Sequence, residues 1–383
     1  IEIKEDGSFY LNQKYFNYSV GLTMTNSKFS KLFNLKRRDS SEKIEQIHMD
    51  IAASIQKVIE FVIIKICKHV KKITKMKNLC LSGGVALNCV ANYKIGLEKI
   101  FDQIWVQPAS GDAGSSIGSA MYLYYHILGK ERNIEENGNK MKGSYLGNNY
   151  SNKEVENLLK KFDIKFDIMT DEKLSEFISK KISENKIIGW MQGKSEFGPR
   201  ALGARSILAD PRPIDMHKKL NLKIKFRESF RPFAPSVLSE YQHEWFDSFH
   251  FNEFMSFISK TKDFKIKDKF RYSGFESLNY IESKIKAVSH VDGTARVQTV
   301  YKSLNPKFYN LIENFYKITG VPILINTSFN VRGEPIVETP EDALKCFFGT
   351  DLDYLVIENF VINKTYQNKN LITSKYSVNF KPD

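Results

Sequence analysis

The sequence predicts an α/β protein on three observations. Two strand, glycine-turn, helix units follow one another between Lys77 and Leu128. A second series of helices and strands runs from Ser151 to Ile362. Apolar residues, 42% of 383, are numerous enough to fill more than one core. Single cores stop growing at roughly 250 to 300 residues, so a chain this long is expected to divide in two.

A strand-like start, IEIKEDGSFYL, leads to Ser41, the expected N-cap of a long helix. In that helix Ile44, Ile47, Ile51, Ile55, Val58, Val62, Ile66 and Val70 recur at intervals of three and four. KNLCLSGG then reads as a strand entering glycines, VALNCVANYKIGLEKI as a helix and QIWVQPA as a second strand. SGDAGSSIGSA is a second glycine turn opening an apolar helix to Leu128, a layout that implies a parallel sheet. Residues 129–153 are polar and aperiodic and mark a boundary, giving expected domains of 1–145 and 146–383.

The second domain opens with two helices, SNKEVENLLKKF and DEKLSEFISKKISEN, and a strand, KIIGWMQ. It closes with the helix NLIENFYKITG, the strand and polar loop VPILINTSFN, the helix TPEDALKCFFG and a strand, YLVIENFVI. Thr339 is the expected cap of the last helix, with Pro340 in its first turn. Residues 242–286 carry no clear period, and the tail after Lys364 reads as loosely ordered.

Composition excludes several classes. The four cysteines stand singly, without a C-x-x-C pair, which argues against a disulfide scaffold or zinc ribbon. The long helix is interrupted by Lys57, Glu60, Lys65 and Lys68, so no membrane span or signal peptide is visible and a cytoplasmic setting is expected. The formal charge of +13 comes from 46 Lys spread along the chain and 11 Arg that are not spread. Arg200, Arg205, Arg212, Arg227 and Arg231 fall within 32 residues. Gathered guanidinium forks suit phosphate or carboxylate, whereas scattered lysines serve a solvated surface, so nucleic acid is not an expected partner.

Four segments hold the candidate chemistry. LSGGVALN puts Gly83 and Gly84 between a strand and a helix, where a phosphate or ribose can approach the backbone; tight turns use glycine pairs for steric reasons as well. PASGDAGSSIGSA repeats the arrangement with Asp112 at the strand end, a residue suited to hold a metal, orient a hydroxyl or cap the next helix. GWMQGKSEFGPRALGARS leaves three residues rather than four before its Gly-Lys and is no Walker loop. Together with KIKFRESFRPFAPS it gathers the acid Glu196 with Lys194, Arg200, Arg205, Lys225, Arg227 and Arg231, six cations that repel one another unless an anion joins them or a surface salt-bridge network pairs them. SHVDGTARVQTV and INTSFNVRGEPIV add His290, Asp292, Arg296, Asn326, Ser328, Asn330 and Arg332 in polar loops of the kind that line ligand sites.

Taken together, LSGGVALNCVAN, SGDAGSSIGSA, GKSEFGPRALGARSILADPR, FRESFRPFAPSVL, HVDGTARVQTV and PILINTSFNVRGEPIV closely resemble the O-carbamoyltransferase family of nodulation-factor and antibiotic biosynthesis, in the family's order and nearly end to end. The resemblance implies the second half of an actin/sugar-kinase/heat-shock-type (Kae-like) domain over residues 1–145. A YrdC-like domain follows over residues 146–383. It implies that carbamoyl phosphate and ATP with Mg2+ form carbamoyl-adenylate in the YrdC-like domain. The carbamoyl group then passes to a hydroxyl of a sugar or natural-product acceptor in the metal-containing first domain.

By motif, Lys194, Arg200, Lys225, Arg227 and Arg231 become the catalytic cations. Arg205, Ser206, Arg296, Asn326 and Ser328 join them around ATP and carbamoyl phosphate. Ser82, Gly83, Gly84, Asn88 and Gly114 become the adenylate cradle, and Asp112 a ligand of one divalent metal (Fe2+, Zn2+ or Mn2+). The family's other metal ligands lie in a His-x-x-x-His pattern that this sequence lacks. The expectation is therefore that the first half of the first domain is missing, whether truncated or supplied by another polypeptide, and that the chain makes adenylate without transferring carbamoyl groups unaided. Rival expectations are a threonylcarbamoyl-adenylate or tRNA-modifying enzyme and a non-catalytic nucleotide-binding partner.

Overall fold

The computed structural model describes residues 1–39, 42–132, 141–248, 252–266 and 280–368. The expected cap Ser41, the middle of the expected boundary and most of the tail after Lys364 lie outside them. The chain forms two compact units: residues Ile1–Leu81 with Val90–Trp105, and Ser82–Cys89 with the chain from Val106 onward. The division therefore falls within the first glycine turn and second strand, while the expected boundary at 145 lies inside the second unit.

The first unit begins with a hairpin of β1 (Glu2–Ile3) and β2 (Phe9–Tyr10), then a short helix α1 (Ser27–Leu32) capped by the side chain of Asn26. The long amphipathic stretch forms α2 (Gln46–Thr74), starting five residues after Ser41. There the N–H of Glu45 donates to Nδ1 of His48 at 3.0 Å. The helix ends where Lys75 turns left-handed at φ +59°. Strands β3 (Asn78–Leu81) and β4 (Gln103–Val106) pair in a two-stranded sheet, with α3 (Cys89–Leu97) between them in sequence.

In the second unit, α4 (Gly114–Met121) continues as a π-helical turn over Tyr122–Ile127, and α5 (Asn152–Lys161) and α6 (Asp171–Ser183) form where the periodicity placed them. The centre is one eight-stranded sheet. Its strands are β5 (Asp167–Ile168), β6 (Ile188–Met191), β7 (Arg205–Ala209), β8 (Ala234–Leu238), β14 (Gln298–Val300), β15 (Ile323–Ser328), β16 (Tyr354–Ile357) and β17 (Phe360–Asn363). Their order is β14-β8-β15-β7-β6-β16-β17-β5. Only the β14/β8 and β16/β6 pairs are parallel; the other five are antiparallel.

Between β8 and β14 in the chain run the short strands β9 (Phe246–Asp247), β10 (Ser259–Thr261), β11 (Lys265–Ile266), β12 (Ile281–Glu282) and β13 (Thr294–Ala295), most of them where the sequence shows no period. Helices α7 (Ile214–Lys219), α8 (Gln242–Trp245), α9 (Pro306–Thr319) and α10 (Pro340–Phe348) complete the unit. The cap on α10 is as expected: Thr339 Oγ1 accepts from the N–H of Asp342 at 3.1 Å. The expected single strand YLVIENFVI is a hairpin instead, β16 and β17 folding over Glu358 at φ +49°.

Trp190, Phe308, Phe315, Phe329, Phe347 and Phe360 are fully buried in the core of this unit. At roughly 25 cal/mol per Å2 of apolar surface, aromatic burial of this kind is the main force holding the sheet between its helices. No helix among the described residues is long and apolar enough to cross a membrane.

Candidate functional site

Strand register decides which side chains share a face, because successive residues point to opposite sides. Ser206 pairs with Ser328, Leu324 with Ser236, and Ser236 with Gln298, so Ser206, Ser236, Gln298, Asn326 and Ser328 lie on one face of β7, β15, β8 and β14. These polar groups are at least partly buried, and a buried polar group needs partners. Much of their bonding goes to the loop GPRALG. Ser206 Oγ accepts from the N–H of Gly203 (3.0 Å), Asn326 Nδ2 donates to the carbonyl of Ala201 (3.2 Å), and Gln298 Nε2 to that of Leu202 (2.7 Å). Asn326 Nδ2 also donates to Gln298 Oε1 at 2.8 Å, which fixes the amide orientation.

Glu196 pins the same loop from its other end, one carboxylate oxygen accepting from the N–H groups of Leu202 (2.6 Å), Ala204 (2.8 Å) and Arg205 (3.3 Å). Gly203 stands at φ +103°, and a Cβ there would come within 2.2 Å of the Phe308 ring, so only glycine fits. Ser206 and Asn326, expected around ATP and carbamoyl phosphate, bond to the loop that carries Arg200, and Asn326 Oδ1 is buried without a partner among the described residues.

Arg200 is largely buried. One terminal nitrogen reaches the carbonyl of Leu87 at 3.5 Å, and its Nε is buried with no hydrogen-bond partner. Burial first, then the nearby Arg296, lower its pKa to about 10. Arg227 is held to about 10 by burial and then by Arg231, with Arg296 and Arg332 also repelling it. Arg296 itself is lowered by burial. Lys225, 3% exposed, is pushed to about 7 by burial and then by Arg227, although its amine donates to both Ser328 and Asn330, reaching Asn330 Oδ1 at 2.8 Å and Ser328 Oγ at 3.1 Å.

Among the described residues one carboxylate answers these charges at close range. Glu228 meets Arg231 at 3.0 Å and Arg332 at 3.6 Å. Arg227 leans on Phe233, its guanidinium carbon 5.1 Å from the ring centroid, and donates from Nε to Asn221 Oδ1 at 2.7 Å. His290 is pushed down to about 4 by burial, so it is neutral at pH 7 and adds no charge. Arg200, Arg227, Arg231, Arg296 and Lys225 therefore form one cationic cluster, and an anion with several oxygens would relieve their repulsion.

Other expected members are placed elsewhere. Arg205 is next to Ser206 in a strand and so faces the opposite side. Its guanidinium donates to the carbonyls of Gly193 (3.0 Å), Ala204 (3.1 Å), Asn148 (3.1 Å) and Gln192 (3.3 Å). Lys194 is exposed and lines a separate cavity of about 270 Å3 with Gln192, Lys307 and Glu358, whose lining holds no other expected site residue.

In the first glycine turn, Gly83 needs its φ of +99° and its N–H donates to the carbonyl of Ser110 at 2.8 Å, while Ser82, Gly83 and Gly84 are exposed with open space where a Cβ would stand at either glycine. Asn88 follows a 3-10 turn over Gly84–Leu87. Gly114 is required for packing, since a Cβ there would fall 2.0 Å from the carbonyl oxygen of Ala109. Asp112 is exposed and does not cap α4, which is headed by Ala113 without a side-chain bond. Among the described residues no three His, Cys, Asp or Glu side chains stand close enough to hold a metal ion. Asp112 alone does not fit a divalent metal, which needs a fuller donor set.

Asn330, expected in a ligand-lining loop, receives Lys225. Two contributors were not among the expected residues: Glu228 neutralises Arg231, and Gln298 links the sheet to the loop. Glu228 had a visible signal, the single acid between Arg227 and Arg231; Gln298 had none beyond strand alternation.

The description Carbamoyltransferase N-terminus matches residues 1–121, and Carbamoyltransferase C-terminus matches residues 179–364. The chain belongs to the carbamoyltransferase family. The N-terminus description matches from residue 1, so the expectation of an absent first half finds no support there. The uncharacterized protein sll1178 of Synechocystis sp. is 45% identical over 390 residues, covering 100% of this chain and 63% of its own length. Nodulation protein NolO of Bradyrhizobium diazoefficiens is 39% identical over 336 residues, covering 87% of this chain and 58% of its own length. The chain thus spans about three fifths of the length of these relatives. The crystal structure of full-length HypF in its phosphate- and nucleotide-bound form is similar at 18% identity and a TM-score of 0.33, over 52% of this chain and 22% of that one, too slight a likeness to bear on the fold.

Proposed function

We propose that this chain is the adenylate-forming part of an ATP-dependent O-carbamoyltransferase. The observation that carries the reading is the cluster of Arg200, Arg227, Arg231, Arg296 and Lys225, gathered together with one close carboxylate. In the reaction, water hydrolyses carbamoyl phosphate to carbamate and inorganic phosphate; a carbamate oxygen then attacks the α-phosphorus of ATP, the bond between the α- and β-phosphates breaks, and carbamoyl-adenylate forms as pyrophosphate leaves. Negative charge gathers on phosphoryl oxygens throughout, and cations fixed before the reaction stabilise it without reorganising. Loop 198–204, tied down by Ser206, Gln298, Asn326 and Glu196, keeps Arg200 in register with Arg296.

On this reading residues 146–383 are a YrdC-like domain and the residues before them part of a Kae-like domain. The open turn at Ser82, Gly83 and Gly84 serves the adenylate, and a sugar or natural-product hydroxyl is the acceptor. The names of the nodulation relatives support a small-molecule acceptor over tRNA. Asp112 supplies no metal site by itself, and no step runs through one.

The test is pyrophosphate release from ATP, Mg2+ and carbamoyl phosphate by the chain. Release that requires carbamoyl phosphate and disappears in Arg200→Ala is the expected result. ATP bound without pyrophosphate release, in this chain and in a full-length relative alike, would overturn it in favour of a non-catalytic nucleotide-binding protein.

A further inference from the structure

A second cationic cavity opens at a different part of the same sheet. It has a volume of about 470 Å3 and is lined by Lys186, Lys219, Lys223, Lys364, Asp351 and Asp353, with apolar and neutral groups completing the wall. It lies beside Tyr354, where β16 starts, and Asn363, where β17 ends. In the parallel β6/β16 pair Tyr354 is in register with Ile188, whereas Arg205 is in register with Met191 at the other end of β6. The cavity and the loop before β7 therefore belong to opposite ends of these strands.

The charges in this cavity do not cancel. Asp353 is engaged on both oxygens: Lys186 reaches one at 3.2 Å, while Lys219 (3.8 Å) and the N–H of Ile187 (2.9 Å) reach the other. Lys364 turns its amine to the carbonyls of Phe347 and Thr350 at the end of α10. Lys223 is exposed and has no ion-pair partner within 4.0 Å among the described residues. Four lysines line the cavity against two aspartates; Lys364 is turned to the carbonyls, Lys186 and Lys219 share Asp353, and Lys223 is left without an ion-pair partner among the described residues. Lys219 ends α7 and Lys223 lies in the π-helical turn Leu220–Ile224 that follows it, and both side chains line the cavity.

We propose that this cavity is a second anion-binding site, taking a multivalent oxoanion of the pyrophosphate class, with Lys219 and Lys223 as its principal contacts. Two linked phosphoryl groups carry more charge and a longer reach than one phosphate, which suits amines spread around a cavity of this size. The same segment continues to Lys225 and Arg227, so the two sites are joined by a few residues of backbone. Nothing in this second site depends on carbamoyl chemistry.

The experiment is isothermal titration of the folded chain with inorganic pyrophosphate at constant ionic strength, with sodium chloride making up the difference. Wild type is expected to show two classes of site. Lys219→Gln with Lys223→Gln, both outside the core, is expected to weaken one class about tenfold or more and leave the other, while Arg227→Ala does the reverse. Circular dichroism of each variant confirms the fold. A double lysine variant that titrates like wild type overturns the proposal, as does a class that chloride displaces in proportion to ionic strength alone, the mark of unspecific screening. Loss of a class in the lysine variant with none lost in Arg227→Ala would retain this site and overturn the phosphate role of the arginine cluster.

Discussion

Arg205 and Arg227 are both largely buried arginines from the same arginine-rich stretch, and they do opposite things. Arg205 faces away from the polar side of β7, and its terminal nitrogens are satisfied by four main-chain carbonyls. Arg227 has one hydrogen bond to Asn221 and a ring beneath it, and its charged neighbours are Arg231, Arg296, Arg332 and Glu228. In the first environment carbonyls answer both terminal nitrogens, and only Nε is left without a partner among the described residues. The second has more cations than its surroundings answer. Residue type and burial alone do not tell a strut from an anion receptor; the partners of the donor groups do.

The largest effect that sharpens this contrast is on stability. Arg205→Met leaves several buried carbonyls short of a donor and is expected to destabilise the chain by roughly 3 kcal/mol, read from the urea midpoint at constant m. The molecules that remain folded should bind ATP as wild type does. A stable variant that has lost ATP binding would break the contrast and return Arg205 to the ligand site.

Arg227→Ala should behave the other way. It relieves repulsion as well as removing a contact, so the urea midpoint should hardly move. Pyrophosphate release should fall by about a hundredfold, the usual consequence of deleting one group that stabilises transition-state charge. A large loss of stability with catalysis per folded molecule unchanged would make Arg227 a second strut.

The contrast also explains what the sequence could convey. The α/β class, the long helix, the N-terminal cap of α10 and the segments of the cationic cluster were all legible, because periodicity, capping residues and clustered arginines are local signals. The parallel arrangement expected of the glycine-turn units does not extend to the main sheet, which is mixed and mostly antiparallel, because strand order is settled by pairings between distant segments. The turn in YLVIENFVI is hidden because Glu358 and Asn359 look like strand residues when the apolar run is read through them. The opposite facing of Arg205 and Ser206 is available in principle from strand alternation once β7 is known to begin at Arg205. A motif read as a string treats neighbours as partners, whereas a strand makes them face apart. Lys194 is misplaced for a related reason: a glycine with φ of +55° at position 193 turns the chain before it, and proximity in sequence to Arg200 no longer implies a shared cavity.

The smallest expected effect concerns Lys225, which lies against the arginine cluster and distinguishes it from the Arg205 region by titrating. Burial and Arg227 hold its amine at about 7. An anion bound beside it favours the ammonium, so the bound pKa rises above the free one and binding takes up a proton between the two. Affinity for ATP should therefore fall as pH rises above 7, by at most about tenfold per unit, since one proton is linked. Over that range the phosphates of ATP only gain negative charge, which alone would strengthen binding, so a fall points to the protein. Calorimetry at pH 8 in two buffers of different ionisation enthalpy measures the uptake directly: heats that differ in proportion to the buffer term place a titrating group in the cluster, and identical heats would show that Lys225 keeps one protonation state through binding and overturn its role as the titrating group.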